Sequence, residues 1–265
     1  MLIIVCAMYS EAKPLIDKLG LTRVSDSRFD EYANDTVKLV VSGVGAIASA
    51  VAVSMMCTKY NFSKHDFIIN VGCCAGENKG QAYIINKITD MITGRTFYPD
   101  MLYKSDLSEA EVVSVSTIVG NDDVKAGKLY DCESAGFYQA SAQYAGPHQI
   151  RIIKVVSDNG DYENVTAKQI TELIAGVADE IVKFSGNIIG QQLDPKENTD
   201  ELCEMLKCSK VMSDSLKQLI KYCALSDIDY ASVIKEDIEQ GVIPVSSKRE
   251  GKIYLDELRK RLLQF

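Results

Sequence analysis

The sequence has few histidines and fewer basic than acidic residues. His65 and His148 are its only histidines, and neither stands in a Cys–His pattern that would activate a thiol nucleophile. The 265 residues include 29 Lys and Arg against 37 Asp and Glu, giving a net charge of −8. This balance argues against nucleic acid or an anionic membrane surface as the main partner.

The cysteines do not form a metal-binding pattern. Cys203 and Cys208 have no histidine nearby, which is a weak arrangement for zinc, so we expect neither a metal nor a cofactor. Four others lie in apolar or glycine-rich motifs, as reduced core thiols do: Cys6, Cys57, Cys73 and Cys132. No basic leader precedes the apolar first residues, and we therefore expect a cytoplasmic protein with reduced thiols.

Residues 39–57 carry no charged side chain and could suggest a membrane span. The segment contains Ser-Gly-Val-Gly in its first third, however, and is rich in Ala and Ser rather than Leu. We predict a buried strand, a glycine turn and a buried helix here, in a soluble protein that makes no membrane contact.

The first two-thirds of the chain alternate β-branched runs with helical patterns. Strands are predicted over 2–8, 37–43, 66–72, 111–120 and 149–158, and helices over 10–20, 46–60, 131–144 and 165–188. Nearly continuous apolar strands between helices predict an α/β sheet that is covered on both faces. After a polar stretch at 190–201 come three or four short helices, so we predict an α/β domain over 1–192 and a helical C-terminal appendage over 193–265.

Two glycine-rich turns follow predicted strands. In "VSGVGAIASA" (41–50), Gly43 and Gly45 could let backbone N–H groups approach an anion or hydroxyl groups. The segment lacks the third glycine and the later acidic residue of a dinucleotide fingerprint, and its spacing alone favours tight packing. "INVGCCAGENKG" (69–80) repeats the arrangement after the next strand.

Three acidic residues lie at or near the ends of predicted strands: Glu11, Glu133 and Asp158. Taken singly, each is better explained as a carboxylate of a first helical turn or a loop. In a parallel sheet such ends share one edge, so a single cleft could hold all three. Several acids with little basic charge nearby suit a cationic transition state, such as the oxocarbenium ion of glycosidic cleavage.

Five segments occur in the order and contexts of the purine nucleoside phosphorylase superfamily: "IIVCAMYSEAKPL", "VVSGVGAIASA", "IINVGCCAG", "YDCESAGFYQ" and "IKVVSDNGD". Over roughly residues 1–190 the chain most resembles the 5'-methylthioadenosine/S-adenosylhomocysteine nucleosidases. This resemblance implies a central twisted mixed sheet, partly closed into a barrel and flanked by helices. It also implies a homodimer and a purine nucleoside as the small-molecule partner.

The resemblance implies two catalytic residues and several binding residues. Asp158 matches the residue that gives a proton to purine N7, and Glu11 matches the residue that positions the attacking water. An Asp at the apolar mouth of a strand can carry a proton near neutral pH. The implied substrate-binding positions are Glu133 on the ribose hydroxyls, Cys132 where the nucleosidases usually have Met, Ser157 beside Asp158, Gly43, Gly45, Cys73, Gly76, and Lys154 where they have Arg.

Three functions remain open from the sequence. The first is hydrolysis of the N-glycosidic bond of a purine nucleoside such as methylthioadenosine, adenosylhomocysteine or deoxyadenosine. The second is a phosphorylase with phosphate as co-substrate, for which the motifs offer only Lys154 and Arg95 as cations; the scarcity of basic residues favours water instead. The third is a non-catalytic nucleoside- or partner-binding module of the same fold.

Overall fold

A computed structural model describes residues 1–64, 66–101, 105–120, 122, 124–190, 196–226 and 228–263. The strands are β1 Leu2–Cys6, β2 Thr22–Arg23, β3 Asp30–Ala33, β4 Val37–Val41, β5 Phe67–Ala75, β6 Ala82–Asp90, β7 Thr96–Phe97, β8 Ser108–Ser114, β9 Leu129–Asp131 and β10 Ile150–Asp158. The helices are α1 Tyr9–Leu19, α2 Ala46–Lys59, α3 Ser134–Ser141, α4 Ala167–Gly190, α5 Lys196–Met205, α6 Lys210–Leu225, α7 Tyr230–Glu239 and α8 Lys248–Leu263.

The strands form one mixed sheet that partly closes on itself. β1 pairs in parallel with β4 and β5, and the edge strands β3 and β2 add to β4 in antiparallel order. From β5 the pairings run through β10, β6, β8 and β9, and a bridge between Tyr130 and Ala75 returns to β5. The predicted α/β class and the mixed, partly closed sheet are therefore confirmed.

Helices cover both faces of the sheet, because the apolar strands bury both sets of side chains. On β1, Ile4 packs on the face covered by α1 and α4, whereas Val5 packs on the face covered by α2 and α3. Alternation along the strand thus fills two cores at once. The carboxyl ends of the central parallel strands, by contrast, are left open for a ligand site.

Among the elements that differ from the sequence prediction are β8, β6 and α3. β8 ends at Ser114 rather than at 120, and the apolar residues that follow it line a cleft instead of continuing the strand. β6 was not predicted, because Asn86 and Lys87 interrupt its apolar run. α3 begins at Ser134 rather than at 131, since residues 129–131 belong to β9.

Residues 39–57 form β4, a glycine turn and α2, as predicted. Gly43 and Gly45 have φ angles of 87° and 107°, which side chains rarely adopt. α2 is not buried all round, however, because Ile47 is 82% exposed and Val51 is 53% exposed. None of the helices in the described residues is long and apolar enough to cross a membrane.

The chain divides into two compact units, Met1–Ile189 and Gly190–Phe265. The boundary that the sequence predicts, between 192 and 193, lies outside the described residues. In the second unit α5, α6 and α8 contribute to a core that contains Leu206, Leu216 and Leu258. α8 approaches the end of α5 so closely that a Cβ at Gly251 would lie 1.9 Å from the carbonyl oxygen of Leu206.

Candidate active site

A cleft of about 150 Å³ opens at the carboxyl ends of β1, β5, β9 and β10. Four acidic residues are among those that line it, Glu11, Asp131, Glu133 and Asp158, although the side chain of Asp131 is itself fully buried. Its other lining residues are mostly apolar side chains and thiols, among them Met8, Val44, Val115, Ile118, Cys73, Cys74 and Cys132. None of the described residues that line the cleft carries a basic side chain.

Glu11 is held in the cleft by backbone N–H groups. The chain leaves β1 at Cys6 and enters α1 at Tyr9, so Glu11 lies in the first helical turn. Its Oε2 accepts hydrogen bonds from the N–H groups of Ala7 and Met8, both at 2.9 Å. Its Oε1 accepts one from Cys73 N at 2.7 Å.

Burial decides the protonation of Glu11. The side chain is 2% exposed, and burial raises its pKa to about 7 although the hydrogen bonds from Cys73 and Met8 act in the opposite direction. The carboxyl group has room only because residue 72 is glycine. A Cβ at Gly72 would lie 3.0 Å from Oε1 of Glu11.

Glu133 and Asp131 share one buried cation. Lys154 Nζ lies 2.7 Å from Asp131 Oδ2 and 3.6 Å from Glu133 Oε2, and none of its side chain is exposed. Burial by itself lowers the pKa of Lys154, but the charges of Asp131 and Glu133 raise it above its usual value, so this residue stays protonated. Burial raises the pKa of Glu133, with Lys154 opposing that rise.

Each of these two carboxyl groups is also fixed by the backbone. Gly45 N donates to Glu133 Oε1 at 3.0 Å, which links the first glycine turn to the end of β9. Ser134 N donates to Asp131 Oδ2 at 3.0 Å. Asp131 Oδ1 is buried and has no hydrogen-bond partner among the described residues.

Asp158 ends β10 at a bulge. The register against β5 shifts between Val156 and Asp158, and this extra residue brings both Ser157 and Asp158 to the cleft. Asp158 Oδ2 accepts from Ser157 Oγ at 2.6 Å, and Oδ1 accepts from Gly160 N at 2.9 Å. The Ser157 hydroxyl also lies 3.3 Å from the carbonyl oxygen of Cys74, so its single proton has two acceptors.

The thiols of the cleft are neutral packing groups. Burial raises the pKa of Cys73 and Cys74 far above the ordinary thiol value and that of Cys132 to about 11. A thiol is nucleophilic only as its thiolate. These cysteines therefore contribute shape and low polarity to the cleft.

Six of the ten residues that the sequence singles out line the cleft together: Glu11, Cys73, Cys132, Glu133, Ser157 and Asp158. The other four are not among the residues that line it. Gly43 and Gly45 form the turn that carries the N–H donor to Glu133, and Lys154 lies beneath the carboxyl groups. Gly76 N donates to the carbonyl oxygen of Asp158 at 2.8 Å, and a Cβ there would lie 2.7 Å from Leu129 Cδ2.

Sequence reasoning did not assign several residues that line the cleft, among them Asp131, Met8 and Tyr162. The signal for Asp131 was its place directly before Cys132 and Glu133. Arg95, the second cation considered for a phosphate site, is exposed in the β6–β7 turn and is not among the residues that line the cleft.

Comparison with known proteins yields structural likeness only. No protein-family model matches the sequence, and no curated protein matches it either. The 5'-methylthioadenosine nucleosidase of Arabidopsis thaliana is 18% identical, with a TM-score of 0.58 over 71% of this chain and 96% of that chain. The S. pneumoniae 5'-methylthioadenosine/S-adenosylhomocysteine nucleosidase, solved with a transition-state inhibitor, is 18% identical, with a TM-score of 0.57 over 69% and 98%.

A Helicobacter pylori mutant nucleosidase that holds 5'-methylthioadenosine in its active site is 12% identical, with a TM-score of 0.57 over 69% of this chain and 97% of that chain. In each case nearly the whole neighbour is matched. The matched share of this chain is close to the share that residues 1–189 make of it. The chain thus has the nucleoside phosphorylase-like fold of the 5'-methylthioadenosine/S-adenosylhomocysteine nucleosidases.

Proposed function

We propose that this protein hydrolyses the N-glycosidic bond of a purine nucleoside related to methylthioadenosine or adenosylhomocysteine. The observation that carries the proposal is the joint placement of Glu11, Glu133 and Asp158 around one cleft that is otherwise mostly apolar. The structural neighbours named above support the choice of substrate class, since one holds 5'-methylthioadenosine in its active site.

Asp158 is proposed as the proton donor to N7 of the purine. Protonated on Oδ2, the carboxyl group would present its proton to the base, while the Ser157 hydroxyl turns to donate to the carbonyl oxygen of Cys74. After the proton has moved to N7, the same hydroxyl can turn back and donate to the carboxylate. Ser157 thereby accommodates both protonation states of Asp158 without any movement of the backbone.

The sugar develops positive charge as the base leaves. Glu133 is proposed to accept hydrogen bonds from the ribose hydroxyls, because it lines the cleft and Gly45 N holds its Oε1 in place. Glu133 and Glu11 then stabilise the oxocarbenium ion through carboxylates in surroundings of low polarity, where such charges act strongly.

Glu11 is proposed to orient and deprotonate the attacking water. A base is most useful when its pKa lies near the working pH, and burial raises the pKa of Glu11 to about 7. The three N–H donors fix the carboxyl group in place. Water adds to the anomeric carbon, its proton passes to Glu11, and free purine and free sugar result.

Water is favoured over phosphate by the charges of the site. A phosphorylase must hold a dianion, and among the described residues Lys154 is the cation paired with carboxyl groups of the site. This lysine is fully buried and already paired with Asp131 and Glu133, so it is in no position to bind phosphate as well. The negatively charged side chains of the cleft would also repel such a dianion.

The test is product formation with defined nucleosides. Methylthioadenosine, adenosylhomocysteine, adenosine and inosine are incubated with the protein, with and without phosphate, and the free base is followed by chromatography. Release of base without phosphate is expected, and a strict requirement for phosphate would replace hydrolysis by phosphorolysis. Binding seen as a thermal shift without any turnover would instead favour the non-catalytic module.

We also propose that the protein is a homodimer. Exposed apolar side chains on α2, notably Ile47 and Val51, give a surface suited to association. Sedimentation equilibrium is expected to give twice the chain mass, and Ile47→Glu is expected to lower it to that of a monomer. A wild-type monomer at micromolar concentration would contradict the proposal.

A further inference from the structure

Two cysteines of the helical unit meet where α5 ends. After Met205 the chain turns through Lys207, whose φ of 49° is left-handed. Lys207 N donates to Glu204 O at 3.0 Å, and Cys208 N donates to Cys203 O at 2.9 Å. These two bonds define a Schellman motif, in which the side chains at the positions of Cys203 and Cys208 come into contact.

The contact joins two thiols that solvent can reach. Both side chains are partly exposed and pack at the edge of the helical core. Cys203 Sγ also donates to Ser213 Oγ of α6 at 3.3 Å. A disulfide requires Cα atoms about 4.4–6.8 Å apart, and the hydrogen bond from Cys208 N to Cys203 O draws these two residues together.

The other six cysteines lack this combination of contact and exposure. Cys6, Cys57, Cys74 and Cys223 are buried. Cys73 is adjacent to Cys74 on β5, so their side chains point to opposite faces of the sheet. Cys132 is partly exposed in the α/β unit, within the cleft.

We propose that Cys203 and Cys208 form a dithiol modification site, which an oxidant of the peroxide class closes to an intramolecular disulfide. The Cys203 sulfur attacks one oxygen of the peroxide, the O–O bond breaks and water leaves. Cys203 is thereby oxidised to a sulfenic acid. The Cys208 sulfur then attacks the sulfenic sulfur, the S–S bond forms, and a second water leaves. Two thiols lose two electrons and two protons, and one hydrogen peroxide becomes two waters.

The order of attack follows from the surroundings of the two sulfurs. Burial and the neighbouring Cys203 sulfur raise the pKa of Cys208 to about 11, so Cys208 remains a thiol at neutral pH. Cys203 Sγ lies 3.3 Å from Ser213 Oγ, and this hydroxyl can turn to donate to a Cys203 thiolate, so we assign Cys203 as the attacking sulfur. Cys208 is the resolving residue.

The disulfide would link α5 to the turn that leads into α6, at a place where α8 also packs. Ser209 caps the start of α6, and Gly251 of α8 packs against the carbonyl oxygen of Leu206. A bond between residues 203 and 208 encloses the left-handed residue Lys207 and restricts the unfolded chain. The oxidised helical unit is expected to unfold at a higher temperature than the reduced one.

The sequence supplies a direct assay. Trypsin cleaves after Lys196, Lys207 and Lys210, so the two cysteines fall in separate peptides, residues 197–207 and 208–210. The full chain is treated with hydrogen peroxide, free thiols are alkylated, and the digest is analysed by mass spectrometry without reduction. We expect these two peptides to appear linked, to separate on reduction, and to come from a chain that migrates as a monomer in non-reducing electrophoresis.

Single variants separate the proposal from general oxidation. In Cys208→Ser, dimedone is expected to trap a sulfenic acid on Cys203, whereas Cys203→Ser should yield none on Cys208. Cys223→Ala, in the same core, serves as the matched control and should form the linked peptides at the wild-type rate. The proposal is overturned if both thiols stay free after peroxide treatment, if linkage is found only between chains, or if it joins other cysteine pairs equally fast.

Discussion

Lys154 Nζ lies 2.7 Å from Asp131 Oδ2, and neither side chain has any contact with solvent. The pair lies beneath the cleft, and the same ammonium group is 3.6 Å from Glu133. A buried cation thus compensates two carboxylates that the fold brings together. The main role of Lys154 is structural and electrostatic, because its ammonium group is paired with the carboxylates of Asp131 and Glu133.

Replacing Lys154 by Met should leave both carboxylates buried without a cation. We expect Lys154→Met to lower the free energy of unfolding by about 3–5 kcal/mol, as the loss of one partner of a buried ion pair typically does. Urea unfolding at pH 7 measures the change. Lys168→Met is the control, since Lys168 is exposed on α4 and its pair with Glu172 is 3.8 Å long, and it should change stability by less than about 0.5 kcal/mol. Equal stability of Lys154→Met and wild type would show that the pair contributes nothing.

The raised pKa of Glu11 predicts the pH at which activity is lost on the acidic side of the pH–rate profile. If Glu11 must be ionised to accept a proton from water, kcat/KM should fall as the pH drops through about 7, where Glu11 takes up its proton. Initial rates with a purine nucleoside, measured between pH 5 and 9 in buffers of constant ionic strength, give this profile. An acidic limb near the ordinary Glu value of 4.5 would contradict the assigned role.

The same residue makes stability depend on pH. The folded pKa of about 7 lies above the ordinary value of 4.5, so between these values the native state binds a proton that the unfolded chain has released. The unfolding free energy of the wild type therefore falls as the pH rises through this window. Relative to Glu11→Gln, it should fall by about 3 kcal/mol between pH 4 and pH 8, as measured by denaturant unfolding at each pH. A pH-independent difference between the two proteins would mean that Glu11 titrates normally.

Gly72→Ala tests whether the position of Glu11 matters. The added methyl group would lie 3.0 Å from Oε1, which must move away from Cys73 N. We expect kcat/KM to fall at least about tenfold, because a shift of under 1 Å in a catalytic group is costly. Gly176→Ala in α4 is the control, since nothing lies within 4 Å of its added Cβ, and it should leave the rate unchanged. Wild-type activity in Gly72→Ala would show that the added methyl group does not displace Glu11, or that its position does not limit the rate.

Local sequence pattern predicted much of the sheet and three of the cleft carboxyl groups. Strands such as β1 and β10 are buried on both faces and read as continuous apolar runs, and their polar ends revealed Glu11 and Asp158. Closure of the barrel could be expected only through the resemblance, because it depends on pairings between distant segments. A single bridge between Ala75 and Tyr130 completes the ring, and no local signal marks it.

The role of Lys154 could not be read from the sequence for a similar reason. Within β10 it is one polar residue among apolar neighbours, and contact with substrate is implied only by the resemblance to the nucleosidases. Pairing with Asp131 arises only because β10 and β9 both border β5. The apolar residues after Ser114 likewise predict a strand, since a cleft wall and a buried strand require the same apolar side chains.

Asp158→Asn tests the proposed proton donor most directly. The amide retains the shape of the side chain and can still accept from Gly160 N, but it has no acidic proton to give to the leaving base. We expect turnover to be abolished while circular dichroism and the melting temperature stay near those of the wild type. Asp161→Asn, three residues further along the loop and exposed, should keep full activity. Ser157→Ala should lie between the two, at about one tenth of the wild-type rate, because only the hydroxyl that serves both states of Asp158 is lost. Substantial turnover by Asp158→Asn would transfer the role of general acid to another group of the cleft.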